Sequence, residues 1–151
     1  MIEVSFTQMI DGTQADYEFL EQLEDDHIRS LPDRIMKALL GLSDGLAGYK
    51  IDRLQHSLQT ATRAEDEGAS IDWIVAALVH DIGDELAPLS HSEFAAALLK
   101  PFVSEEIVWV IEKHGLFQAY YYAHHVGGDR HARDNCKDHP IYDQCVHFCE
   151  A

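Results

Sequence analysis

The chain has 151 residues, 46% of them hydrophobic, which suits one domain (residues 1–151) built on one core. Lys and Arg total 11 against 27 Asp and Glu, for a formal net charge of −16, and no basic stripe appears. That balance argues against nucleic acid and anionic membrane as partners, so the acidity reads as a solvated surface.

The first helical stretch runs from about Ala15 to Ser30, with Tyr17, Phe19, Leu20, Leu23 and Ile28 as its apolar positions. Leu31-Pro32 breaks it, and Asp33 is placed to cap a helix over Arg34 to Leu42, with Gly45 as a stop. Asp52 caps a helix reaching Asp66, ended by Gly68. Ser70 or Asp72 opens the next, which runs to His80 and ends at Gly83. Ser90 caps a helix to Leu99. Ser104 begins another that reaches His114, with Gly115 as its stop. Phe117 to Ala123 is aromatic and helical. Val126 to Asp138 is a charged, glycine-rich surface loop or lid, and Ile141 to Ala151 is a last helix. No alternating strand pattern stands out, so the expected fold class is all-α, a helical bundle.

The amino terminus, MIEVSFTQMIDGT, lacks a basic region followed by an apolar run, and no apolar stretch is as long as the roughly 18 residues of a membrane helix. A cytoplasmic protein is the expectation. Cys136, Cys145 and Cys149 are odd in number, which argues against a disulfide framework. Cys145 and Cys149 share a helix face and read as small core residues rather than a zinc site.

His80-Asp81 closes the apolar run WIVAALVHDIGD. An imidazole beside a carboxylate suits a divalent metal or iron, and an aspartate can bridge two metals. His56, His91 and His114 flank the pair. By position, His80-Asp81 ends one helix, His91 begins one, His114 ends one and His56 lies mid-helix. A lone helix-terminal histidine is more often a cap or a satisfied core residue, and His27, His124, His125, His131, His139 and His147 are read that way. His80-Asp81 is read otherwise. A buried aspartate needs a partner, no Lys or Arg is near it in sequence, and a metal would supply the charge.

The order His56, His80-Asp81, His91, His114 resembles the HD-domain superfamily. LQHSLQTATRA (54–64), AALVHDIGD (76–84), HSEFAAALLKPF (91–102) and EKHGLFQAYYY (112–122) look like its mixed-valent diiron oxygenase branch. That branch includes myo-inositol oxygenase and the dioxygenases that cleave hydroxylated aminoethylphosphonates, and the chain looks closer to the latter.

The resemblance implies a helical bundle holding two irons, Fe(II)/Fe(III), with His56, His80 and Asp81 on one and Asp81 as bridge with His91 and His114 on the other. It implies O2 as co-substrate, removal of hydrogen from the hydroxyl-bearing carbon, and C–P (or C–C) cleavage. The family has a further aspartate on its last helix. The expectation is that it would follow the stretch His147 to Glu150; Asp143 comes too early, and without that ligand the first iron should bind weakly. Some relatives place a glutamate or tyrosine ahead of the first histidine to occupy the oxygen site. Tyr49 fills a similar place, or is simply a loop aromatic.

Substrate contacts follow less directly. Asp84 stands where hydrolytic relatives often have lysine and could suit an ammonium group. Phe117, Tyr120, Tyr121 and Tyr122 are an aromatic face for a quaternary ammonium or, more commonly, core packing. Gln118 lies one turn past His114, and Lys113, Arg130 and Arg133 are candidates for phosphonate. The competing readings are a metal-dependent phosphohydrolase acting on a phosphoester or nucleotide with Mn, Ni or Mg, and a binding module without catalysis.

Overall fold

A computed structural model describes residues 3–150. The ends of two sequence readings, Met1-Ile2 of the amino-terminal segment and Ala151 of the last helix, lie outside them. Among the described residues there are seven α-helices, several short 3-10 turns and no strand, which is the expected all-α class. None of the helices among the described residues is long and apolar enough to cross a membrane. The chain forms two compact units, Met1–Ala38 and Leu39–Ala151.

The first unit holds α1 (Gln14–Arg29) and most of α2 (Leu31–Gly41). Thr13 and Asp16 make a reciprocal capping box: the Thr13 hydroxyl accepts from Asp16 N at 3.3 Å, and the Asp16 carboxylate accepts from Thr13 N at 3.0 Å. Pro32 does not delay α2 as expected. It sits in the first turn, where a missing N–H removes no helical bond, so α2 starts at Leu31 and Asp33 lies inside it rather than capping it.

The second unit carries α3 (Arg53–Asp66), α4 (Ile71–Val79), α5 (His91–Leu99), α6 (Glu105–Tyr122) and α7 (Tyr142–Cys149). Asp52 caps α3 by accepting from Gln55 N at 2.7 Å, as its position predicts. Helix α3 packs on α4, α5 on α6, and α6 on α7. Val110, Phe117, Cys145 and Cys149 form a core cluster, with Trp73, Trp109 and Ile141 against it.

Two expectations about α6 are corrected. Gly115 does not stop the helix, which is 18 residues long and continues to Tyr122, so His114 lies mid-helix rather than at an end. A Cβ on Gly115 would lie 2.8 Å from Ser92 Oγ. The glycine is there for the close approach of α5, and the helix tolerates it because packing outweighs its propensity cost. The aromatic face also divides. Phe117 is fully buried, Tyr120 lies under Arg130 and Arg133, and Tyr121 and Tyr122 are exposed. The segment after α6 is not wholly irregular: it contains 3-10 turns at Ala123–Val126 and Ala132–Cys136.

Candidate metal centre

Helices α3, α4, α5 and α6 bring four histidines to one carboxylate. His56 comes from the first turn of α3 rather than from mid-helix, and His80 and Asp81 from the turn that closes α4. His91 is the first residue of α5, and His114 sits at the middle of α6. Gly83 allows this convergence, because a Cβ there would lie 2.9 Å from the His91 backbone. His80, Asp81 and His114 are buried, while His56 and His91 are partly open.

The two oxygens of Asp81 divide the histidines between them. Oδ2 lies 3.4 Å from His80 Nε2 and 3.5 Å from His56 Nε2. Oδ1 lies 3.3 Å from His114 Nε2 and 3.5 Å from His91 Nε2. Within each group the imidazole nitrogens are also close, at 3.1 Å for His56 and His80 and 3.2 Å for His91 and His114. Donors bound to one ion at about 2.1 Å stand roughly 3.0–3.4 Å apart at octahedral to tetrahedral angles, so both groups have the spacing of a metal site. His56-His80-Asp81 and Asp81-His91-His114 are each a set of donors able to hold an ion.

The outer contacts fix which ring nitrogen faces inward. His80 Nδ1 lies 2.7 Å from the Ala77 carbonyl and His114 Nδ1 lies 2.6 Å from that of Ile111. A carbonyl only accepts, so Nδ1–H donates and Nε2 is left as the lone-pair donor. Phe148 stands edge-on to His80, at 5.7 Å between ring centroids, and closes the floor with Trp73.

Burial pushes the His114 and His56 imidazoles below their ordinary value, and for His56 the neighbouring His80 adds to it. Burial alone would raise the Asp81 carboxyl. The His114 and His80 side chains packed against it outweigh burial and hold the group well below the usual carboxylate range. His56 and His114 are therefore neutral beside an ionised Asp81 at neutral pH, the protonation state that a metal requires of its ligands.

Arg53 corrects the argument that Asp81 lacks a cationic partner. Its Nη1 is 3.3 Å from Asp81 Oδ2. Its Nε is 2.6 Å from Asp84 Oδ2, with the N–H not aimed at that oxygen, so this contact is an ion pair without a directed hydrogen bond. Sequence distance hid the pair, since 28 residues separate Arg53 from Asp81. The available signal was the i, i+3 spacing of Arg53 and His56, which puts both on one helix face.

The remaining candidates are dispersed. Asp84 binds Arg53 and also faces His91 Nδ1 at 3.6 Å. Tyr49 is 68% exposed, and its ring lies 5.2 Å from the Arg53 guanidinium. Lys113 pairs with Glu112 at 2.6 Å and lines a cavity of about 330 Å³ together with His91, Ser92 and Tyr122. Gln118 is half-buried on α6 and does not line that cavity. Arg130 and Arg133 stack on Tyr120. Asp143 is exposed on α7 and belongs to neither donor set. Cys145 and Cys149 are buried free thiols, and the neighbouring Cys149 together with burial pushes the Cys145 thiol up, as suits core residues.

The model of the HD domain family matches residues 53–149. The chain belongs to the HD domain family. Its match begins at Arg53 and spans all five donors, His80-Asp81 among them. Enzymes of the family generally depend on divalent metals, and the two donor sets here are where this chain can hold them. No curated protein matches the chain.

Proposed function

We propose that this HD domain is a non-haem diiron oxygenase that uses O2 to cleave the C–P bond of a hydroxylated (trimethyl)aminoethylphosphonate-like substrate. The observation that carries the reading is the composition of the two donor sets. Each is two histidines and one carboxylate, the donor set typical of iron sites that activate O2, and Asp81 belongs to both. Two bound irons would supply redox chemistry with O2 and a Lewis acid for the substrate oxygens.

The protein's residues supply orientation and protonation control. Ala77 and Ile111 hold the His80 and His114 rings with Nε2 inward. Phe148 keeps water from the back of those rings. The cavity beside His91 is the substrate entrance in this reading. Lys113 offers a cation for a phosphonate, and the Tyr122 ring with Glu93 and Glu112 offers an aromatic and anionic wall for an ammonium group. Asp84 orients His91 and retains Arg53 in this reading.

The test is elemental analysis of protein made in iron-rich medium, an EPR spectrum after partial reduction, and phosphate release from a hydroxylated aminoethylphosphonate with and without O2. About two irons per chain, a coupled mixed-valent signal and O2-dependent phosphate release are expected. Manganese- or nickel-dependent hydrolysis of phosphoesters, indifferent to O2, would replace this reading with a phosphohydrolase.

A further inference from the structure

We infer that Arg53 is an internal competitor for one of the two metal sites, so that the sites fill in order. The inference rests on the metal reading of the donor sets and goes beyond it. The two sites share Asp81 but are not electrostatically equal. Oδ1 faces His91 and His114 with no Lys or Arg among the described residues in ion-pair contact. Oδ2 faces His56 and His80 and also carries the Arg53 guanidinium at 3.3 Å. A cation arriving at the His56-His80 side meets a charge already seated on the oxygen it needs. One arriving at the His91-His114 side does not. Lys113, which shares the cavity with His91, is paired with Glu112 at 2.6 Å and not with Asp81.

Arg53 also has somewhere to go. Besides Asp81 it contacts Asp84 at 2.6 Å and the Tyr49 ring at 5.2 Å, partners that can hold it once Asp81 is released. Its side chain is 25% exposed, against 3% for Asp81, so it can swing toward solvent while the carboxylate stays fixed. The first ion binds at Asp81-His91-His114. The second binds at His56-His80 only after Arg53 leaves Oδ2, and Arg53 returns when that ion departs. Before metal arrives, the same pair gives the buried carboxylate a partner.

The experiment is a titration of the full chain with Co(II), followed by visible absorption and calorimetry, for wild type, Arg53→Met and Arg53→Lys. Wild type is expected to bind in two steps. Arg53→Met should tighten the weaker step by about tenfold or more and leave the stronger within about threefold. Arg53→Lys, which keeps the charge, should retain the gap between the steps. A merely structural role for Arg53 would weaken binding in the Met variant, and an unchanged or weakened second step overturns the inference. Absence of any Co(II) binding in wild type overturns the metal reading and the inference with it. Circular dichroism of each variant confirms that the compared chains are folded.

Discussion

Asp81 is the one residue that both donor sets use, and its substitution separates this arrangement from a single-ion site. Asp81→Asn keeps the size and part of the hydrogen bonding but removes the charge and one of the two acceptor oxygens. Metal content should fall from about two ions per chain to well below one, whereas His56→Ala and His91→Ala should each lose about one. Elemental analysis after gel filtration reads this directly, and an Asp81→Asn chain with full metal would rule out a shared bridge. At this scale much of the site is legible in the sequence. His56, His80, Asp81, His91 and His114 stand at apolar helix patterns and do converge. Arg53 is not legible in the same way, because its importance lies in a contact across 28 residues that no local pattern encodes. The aromatic stretch divides between the two readings given for it: Phe117 packs in the core, Tyr120 lies under Arg130 and Arg133, and Tyr121 and Tyr122 are exposed, a partition set by packing partners distant in sequence.

Helix ends are legible where a side chain caps them and less so where packing decides. Asp52 marks the start of α3 by its own hydrogen bond to Gln55 N. Asp52→Ala should cost about 1 kcal/mol and loosen the turn that carries Arg53 and His56. Thermal melts would show the loss, and metal titration should show weakening at the His56 side alone. Gly115 reads as a stop because glycine after a periodic run usually is one. In the folded chain its hydrogen faces Ser92. Gly115→Ala therefore sets a propensity gain of roughly 1 kcal/mol against overpacking of roughly 1–3 kcal/mol. The net expectation is destabilisation, because the added Cβ would lie 2.8 Å from Ser92 Oγ and that oxygen also lies 3.3 Å from His91 Nε2. Adding Ser92→Ala removes the obstructing oxygen. The double variant should melt above the single one, and if it does not, the close approach is not what holds glycine at this position.

For the molecule as a whole, the metal-free protein should lose stability on mild acidification, before the bulk of its carboxylates titrate. Folding holds His114 and His56 below their ordinary value, with burial as the main cause. The unfolded chain takes up protons on these histidines near pH 6.5, while the folded chain resists. Their contribution is intact above about pH 6.5 and is lost progressively as the pH falls toward their lowered folded values. The net charge of −16 works in the opposite direction, since acid relieves self-repulsion. That relief belongs mainly to carboxylates, with ordinary values near 4, so the histidine effect should prevail between about pH 6.5 and 5. Bound metal should steepen the loss, because it requires the same neutral imidazoles. A metal at about 100 times its dissociation constant adds ~2.7 kcal/mol at neutral pH, and that increment should vanish as protons displace it. Thermal scans from pH 7.5 to 5, with and without Co(II), would therefore show two falling curves that converge in acid. Parallel curves would mean that the stabilising metal is not held by these histidines.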